Sequence, residues 1–269
     1  MKAKAIICTV MLMACSMANA QIREAAVLFS DTKLDNSYLL TENVSVTFDS
    51  NGNGAIFTGE TKVCDLDVTN TVTAEFKDAF KLKANQNPDK PTDFYSTFYT
   101  SEGAYKVPSE AKAYAGEVET GEEADVLKMT DVGSIIHKKE AVILRANQSE
   151  ITLMPSCNKD STSTKNALEG TDKGKTLTTN QYALSLGQYG VGFYLWSGKS
   201  IGANKAYLTL ENPTFASAFT FQFEDEITDI NNPQLPTLNS QPAYNLNGVR
   251  VNDSYKGIVI KNGKKIFNK

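Results

Sequence analysis

The sequence is short of the side chains that most often carry out catalysis or bind metal ions. Its 269 residues include one histidine and four cysteines, and two of those cysteines fall within the first 20 residues. A single histidine, His137, with Cys64 and Cys157 is too small a set for an ordinary protein zinc site. His137 also has no recognisable nucleophile motif beside it, so we expect it to be non-catalytic. These shortages predict a non-enzymatic protein that carries no cofactor.

Long apolar runs and long helical periodicities are equally scarce. The apolar run at 5–14 is too short to cross a bilayer, and no later run is long and apolar enough, which predicts a chain with no transmembrane segment. Hydrophobic residues still make up 41 % of the chain, enough for a packed core. Frequent Thr, Ser, Asn and Gly between short apolar stretches favour strands joined by turns.

The first 20 residues have the form of a secretory signal peptide. Lys2 and Lys4 precede the apolar run, and residues 18–20, Ala-Asn-Ala, form an A-x-A cleavage site. We therefore expect an exported protein, either extracellular or on the outer-membrane surface, with the periplasm as an alternative. A further alternative is a lipoprotein anchored through Cys15, because residues 12–15, Leu-Met-Ala-Cys, are similar to a lipobox.

The formal net charge of −4 is unevenly distributed. Without Lys2 and Lys4 the charge is −6, and residues 244–269 alone contribute +5. The rest of the chain is therefore strongly acidic. Because an acidic body repels the phosphate backbone, we expect no nucleic-acid partner.

Apolar residues that alternate with polar ones, as in Val44, Val46 and Phe48, are typical of half-buried strands. We predict an all-β protein with two β-sandwich-like modules and a short C-terminal β tail. The polar segment 84–93 contains two prolines and is interpreted as a linker, and residues 156–180 as a surface loop. The predicted divisions are a signal peptide at 1–20, an N-terminal β module at 21–83, a linker at 84–93, a second β module at 94–226, a linker at 227–243 and a β tail at 244–269.

Residues 49–60 match the sequence pattern of an EF-hand calcium loop in full. That pattern would direct Asp49, Asn51, Asn53 and Glu60 toward one Ca²⁺ ion. The flanking residues alternate as strands do, whereas an EF-hand needs a helix on each side, and Asn-Gly between strands is an ordinary hairpin turn. We therefore expect a hairpin, with weak calcium binding as the alternative.

Cys64 and Cys157 are the cysteines that remain after the signal segment. In an exported protein they could form a disulfide, because oxidising compartments permit one. The alternative is two separate buried thiols, since the sequence does not show that they meet.

Residues 182–210 contain the single tryptophan, Trp196, and the clearest strand–turn–strand pattern of the chain. In an extended strand, Tyr194 and Trp196 share one face, while Phe193 and Leu195 share the other. An exposed Tyr/Trp pair would suit stacking on a sugar, which makes these two residues a weak candidate for ligand binding. Because both faces are apolar, a strand buried between two layers is the favoured interpretation.

Seven segments follow one another in an order that resembles a repeated module of exported Bacteroidota proteins. They are residues 96–99, 105–108, 113–114, 133–135, 141–144, 190–194 and 201–208. Residues 244–269 are similar to the sorting tails of type IX secretion. The resemblance implies an all-β protein that is exported or surface-associated, and an export machinery that reads the tail. It brings no catalytic residues, because the shared positions are structural Gly, Pro, Tyr and aliphatic residues.

The expected function is that of a secreted or cell-surface interaction protein without enzymatic activity. Its partner would be a surface protein or a glycan. The alternative is a carbohydrate-binding module that uses the aromatic pair Tyr194 and Trp196.

Overall fold

The protein is built from β-strands, which confirms the predicted all-β class. A computed structural model describes residues 4–5, 22–67, 69–119, 126–160, 164–210, 217–224, 243–245, 250–251, 257–261 and 264–268. The predicted cleavage site and Cys15 lie outside these residues. The chain divides into two compact units, Met1–Glu224 and Asp225–Lys269. Within the described residues a single 3₁₀ turn, Leu40–Glu42, interrupts the strands of the first unit directly after the strand Asp35–Leu39.

A six-stranded antiparallel sheet combines strands from distant parts of the first unit. In spatial order it contains β13 (Ile135–Ile136), β10 (Ala104–Lys106), β15 (Glu150–Ser156), β7 (Thr73–Lys83), β2 (Ile22–Ser30) and β3 (Asp35–Leu39). β2 pairs with β7 along its whole length, from Ile22 opposite Lys81 to Ser30 opposite Thr73.

A four-stranded antiparallel sheet covers one face of this sheet. Its strands are β1 (Lys4–Ala5), β4 (Val44–Phe48), β5 (Gly54–Thr58) and β6 (Thr61–Leu66). Val27 and Phe29 of β2 pack against Ile56 of β5, and all three side chains are buried. The strand predicted from the alternation at 44–48 is therefore β4.

The largest sheet has ten strands and curls back on itself. In spatial order it contains β16 (Leu168–Thr171), β21 (Lys205–Thr209), β18 (Gln181–Gly187), β19 (Gly190–Leu195), β22 (Ala218–Phe223), β12 (Val126–Asp131), β11 (Ala111–Glu119), β14 (Val142–Ala146), β9 (Phe94–Phe98) and β8 (Asn85–Gln86). β12 and β22 run parallel, and the other neighbours are antiparallel. The curl brings the end of β9 to the start of β21, where the Tyr99 amide donates to the Asn204 carbonyl at 3.2 Å.

The curled sheet encloses one apolar core and presents a second to the six-stranded sheet. Aromatic side chains such as Tyr182, Phe193 and Phe219 fill the inside of the curl. On β14, Ile143 points into this core while Leu144 belongs to the second core between the two sheets. Both faces of β14 are thus buried, as its continuous apolar run indicates.

A short two-stranded sheet, β17 (Lys175–Thr176) with β20 (Ser200–Ile201), packs near the outer face of the curled sheet. Residues 156–180, predicted to be a surface loop, therefore contain β16 and β17 and bury Leu168 and Leu177. The prediction of a surface loop was wrong because both strands are short and mostly polar, so they leave no periodic pattern.

The predicted linker 84–93 does not separate two modules. β7, which precedes it, pairs with β15, which follows it, through Lys83 opposite Glu150. Residues within the segment form β8, which pairs with β9. The polar residues and prolines between β8 and β9 mark a hairpin loop, closed where the Asn87 amide donates to the Asp93 carbonyl at 2.8 Å. Everything described up to Glu224 forms one compact unit.

The second unit contains a small antiparallel sheet at the predicted β tail. Its strands are β24 (Arg250–Val251), β23 (Ala243–Asn245), β25 (Gly257–Lys261) and β26 (Lys264–Asn268). Lys261 lies opposite Lys264, so β25 and β26 form a hairpin. The Asn-Gly pair at 262–263 and most of the predicted linker 227–243 lie outside the described residues.

Membrane-spanning helices are absent from the described part of the chain. In the ranges given above, no helix has the length and apolar character that crossing a bilayer requires.

Candidate functional site

Tyr194, a predicted ligand-binding residue, anchors the hairpin between β18 and β19. Its hydroxyl accepts a hydrogen bond from the Tyr189 amide at 3.1 Å and donates one to the Gly190 carbonyl at 2.8 Å. The ring lies directly over Gly187, so closely that a Cβ atom there would overlap it. Tyr194 is half-buried and both of its hydroxyl bonds stay inside the hairpin, so it supports the loop from within.

The anchored hairpin presents two exposed apolar side chains at its tip. Leu186 is 54 % exposed and Tyr189 is 59 % exposed, although both belong to residue types that usually contribute to cores and interfaces. Gly190 closes the turn with φ +82°, a conformation that favours glycine. On the neighbouring hairpin loop, Asp89 Oδ2 lies 3.0 Å from the place that a Gly190 Cβ would take. Packing and hydrogen bonds thus hold this tip in place.

Trp196 is half-buried and lies on the outer face of the curled sheet. It packs with Leu177, Ala183, Tyr207 and Ile201. Lys199 covers its ring, with Nζ 4.5 Å from the ring centroid. The indole N–H is buried and has no hydrogen-bond partner among the described residues. Trp196 and Tyr194 therefore do not form a bare aromatic platform together, since one is stacked by a cation and the other stabilises the hairpin.

The residues of the calcium-loop pattern do not converge. Asp49 closes a β-hairpin turn between β4 and β5, in which Oδ1 accepts from the Asn51 and Asn53 amides and Oδ2 accepts from Asn53 Nδ2 at 2.9 Å. These bonds, led by that of the Asn53 side chain, lower the pKa of Asp49. Glu60 lies in the turn after β5, at the opposite end of a strand that spans roughly 17 Å. The expected hairpin is confirmed, and the EF-hand arrangement is not formed.

The two cysteines are free thiols rather than a disulfide. Cys64 accepts a hydrogen bond from Asn36 Nδ2 at 3.4 Å, and the Cys157 thiol lies 4.0 Å from the Leu34 carbonyl. Burial, together with the nearby Asp35 carboxylate, raises the pKa of Cys157. Both thiols are half-buried, which corresponds to the second of the two sequence interpretations.

His137 stands at the start of a tight turn that Glu140 completes. Glu140 Oε2 accepts from the His137 amide at 2.8 Å, and the carboxyl group is buried. The other carboxyl oxygen and His137 Nδ1 are buried without a partner among the described residues. Across the same described residues, no three His, Cys, Asp or Glu side chains lie close enough to hold a metal ion.

One cavity, of about 300 Å³, lies beside β3, β10 and β15. Its lysine, Lys106, forms an ion pair with Asp35, with Nζ 3.4 Å from Oδ1. Burial alone would raise the pKa of Asp35, but hydrogen bonds from Ser156 and the Cys157 amide, with the charge of Lys106, lower it overall. The charges at this cavity are therefore already paired, and the network ties β3 to β15.

A second cavity, of about 220 Å³, lies where the curled sheet nearly closes. Lys205 contributes its amine, which donates to Ser96 Oγ at 3.4 Å. Burial lowers the pKa of Lys205 to about 8. The lining also contains Lys83 and Asn85, together with hydroxyl and aliphatic side chains such as Thr97, Ser200 and Ile201. A cationic group in a small cavity of this kind can pair with an anionic ligand.

The sequence alone does not identify the two residues that mark the hairpin tip and the second cavity, Tyr189 and Lys205. Tyr189 lies between Gln188 and Gly190 in the recognised hairpin, and its position at a tip follows from the strand boundaries. Lys205 leaves no such signal, because its burial depends on the approach of β9 from more than a hundred residues away.

No family model matches the chain, and comparison with curated proteins and with solved structures finds no significant match. What the fold defines is therefore a class, an all-β protein with a curled ten-stranded sheet.

Proposed function

We propose that this chain is an exported, non-enzymatic interaction protein whose contact surface is the tip of the β18–β19 hairpin. The observation that carries the proposal is the exposure of Leu186 and Tyr189 on a hairpin that Tyr194 holds rigid. Tyrosine supplies a large amphipathic contact area, and interface hot spots are enriched in it. A pre-ordered hairpin also loses little conformational entropy on binding.

The partner that fits this tip is a surface protein with an apolar pocket. The exposed pair offers an aliphatic side chain and an aromatic ring with a polar hydroxyl, a combination typical of the centre of a protein interface. Export to the cell surface is part of the same proposal, and the features that support it are the signal-like segment at 1–20 and the basic tail at 244–269.

The test is binding of the purified protein to intact cells of the source organism. The double variant Leu186→Ser with Tyr189→Ser should bind at least about tenfold more weakly, because hot-spot truncations commonly weaken binding by this much or more. The matched control is Phe76→Ser, because Phe76 is exposed to a similar degree, at 62 %, but lies on β7. Unchanged binding by the double variant, or equal losses in the control, would show that the tip is not the contact surface.

A second candidate function is carbohydrate binding at Trp196. Two observations favour it. The indole N–H of Trp196 has no partner among the described residues, and the side chain that stacks on its ring, Lys199, is itself exposed and can move aside for a sugar. Titration with a glycan panel should then shift the fluorescence of this single tryptophan, and Trp196→Phe should abolish binding. Emission that no glycan alters would eliminate this candidate.

The role of the tail in export is tested separately. If residues 244–269 direct sorting, their deletion should retain the protein inside the cell envelope, as measured by fractionation and surface labelling. Secretion and display equal to those of the full chain would leave the tail without a sorting role.

A further inference from the structure

The cavity at Lys205 exists because two neighbouring strands diverge. β18 and β21 pair only through Gln181 opposite Thr209 and Tyr182 opposite Leu208. Beyond Tyr182, the strands leave a gap, with Ala183 and Leu184 on one side and Lys205 on the other. The edge of β9 faces the gap and places Ser96 across from the lysine.

The Lys205 amine lies in this gap with little to balance its charge. Within the described residues its one partner is the Ser96 hydroxyl, a neutral group. Ser96 in turn donates to the Lys83 carbonyl at 3.2 Å, so it is oriented from behind. A half-buried ammonium that meets only a hydroxyl has lost hydration without gaining an ion pair, which is unfavourable unless an anion supplies the missing charge.

The other ionisable groups around Lys205 do not supply that charge. Lys83, on the opposite side of the cavity, is itself cationic and exposed. Tyr207, on the same face of β21, donates its hydroxyl proton to Glu169 at 2.8 Å and accepts a bond from Lys175. Glu169 is thus engaged with Tyr207. The lysine of the other cavity, Lys106, shows the contrasting case, because Asp35 pairs with it.

We propose that the cavity between β9, β18 and β21 binds a small carboxylate ligand that carries hydroxyl groups, with Lys205 as the partner of the carboxylate. Asn85, Ser96, Thr97 and Ser200 line the cavity with amide and hydroxyl groups. The Ser200 hydroxyl already pairs with Thr176 Oγ1 at 2.9 Å, and its remaining hydrogen-bonding capacity, with the Asn85 amide, suits the ligand's own hydroxyls. Leu184 and the other aliphatic lining residues face its C–H groups. At about 220 Å³ the cavity is smaller than typical drug-sized sites, so a sugar acid or a short hydroxy acid fits this chemistry.

Calorimetric titration with glucuronate, glycolate and glucose tests the proposal on the full chain. Glucuronate or glycolate should bind, and glucose should bind at least about tenfold more weakly than glucuronate because it lacks the charge. Lys205→Met should weaken carboxylate binding by about tenfold or more. Ser96→Ala, which keeps the ammonium, should weaken it less.

Lys62→Met is the matched control, since it removes the same charge from an exposed lysine paired with Asp65 on β6. Circular dichroism checks that each variant is folded. No binding of either carboxylate, equal binding of glucose and glucuronate, or equal binding by Lys205→Met and the parent chain would overturn the proposal. Binding of glycolate without glucuronate would assign the site to short hydroxy acids, and the reverse to sugar acids.

Proton uptake gives a readout that a merely structural lysine would not show. An anion stabilises the ammonium, so binding should raise the pKa of Lys205 from its value of about 8. Titrations at pH 8.5 in buffers of different ionisation enthalpy should therefore show protons taken up with the ligand, and Lys205→Met should abolish this uptake. Ligand binding without any proton uptake in the parent chain would contradict the role of Lys205.

Discussion

Gly170 on β16 packs so closely against Tyr99 that it leaves no room for a side chain. A Cβ atom at this position would overlap Cγ of Tyr99, inside the ring's own volume. We expect Gly170→Ala to lower the free energy of unfolding by about 3 kcal/mol, because the Tyr99 ring must leave its place. Urea denaturation measures the change.

Gly103→Ala is the control for this prediction, since a Cβ atom added there would have no neighbouring atom within 4 Å and the substitution should be nearly neutral. Similar stabilities for the two variants would show that the Tyr99 ring can move aside at little cost in free energy.

The lowered pKa of Lys205 predicts how the stability of the folded protein changes with pH. Its pKa is lowered from 10.5 to about 8 in the folded protein, so the unfolded chain binds more protons between these pH values. The penalty for the buried ammonium is fully present below pH 8 and disappears as the pH rises toward 10.5. Lys205→Met, which keeps the volume, should be more stable than the parent by about 2 kcal/mol at pH 7, a figure reduced for partial exposure.

The measurement is the difference in free energy of unfolding between parent and variant at pH 7 and pH 10. The difference should shrink at the higher pH, since both proteins share all their other titrating groups. A constant difference across this range would mean that Lys205 does not titrate within it.

Elements with strong alternation could be predicted from the sequence, and elements without it could not. Alternating or continuous apolar residues indicate β4 and β14, and glycines and aromatics indicate the hairpin at 182–210. β16 and β17 have no such pattern because both are short and mostly polar. The sequence identifies the aromatic residues but not their exposure, since exposure depends on what packs against each strand.

The β18–β19 hairpin is the element whose rigidity can be tested most directly. Tyr194→Phe removes the hydroxyl that joins the Tyr189 amide to the Gly190 carbonyl. We expect a loss of about 1 kcal/mol in the free energy of unfolding, the usual contribution of such hydrogen bonds. Amide hydrogen exchange at Tyr189 should also accelerate, because its acceptor is gone.

Tyr189→Phe removes a hydroxyl from the same hairpin but at the exposed tip, and surface changes of this kind usually stay within about 0.5 kcal/mol. If the Tyr189 amide exchanges its hydrogen no faster in Tyr194→Phe than in this control, Tyr194 does not anchor the hairpin.

At the scale of the molecule, the boundary at 84–93 is the point where local pattern and tertiary structure differ most. Local composition indicates a linker, but Asp93 forms an ion pair with Arg145 on β14, with Oδ2 2.7 Å from Nη2, and the Arg145 guanidinium also stacks on Phe223 at 4.7 Å. Strand pairs such as β7 with β15 join residues far apart in sequence, and a pattern read along the chain carries no information about such pairs.

The joined sheets predict that the two halves of the first unit do not fold alone. A fragment of residues 22–93 leaves the Lys83–Phe80 edge of β7 without β15, and a fragment of residues 94–224 exposes Phe98 and Leu144 of the shared core. Each should show poorly dispersed amide NMR signals and no cooperative unfolding, because half of an apolar core stays in water. Residues 22–224 together should unfold in one transition, and a cooperative transition in either shorter fragment would restore the two-module division that the sequence suggests.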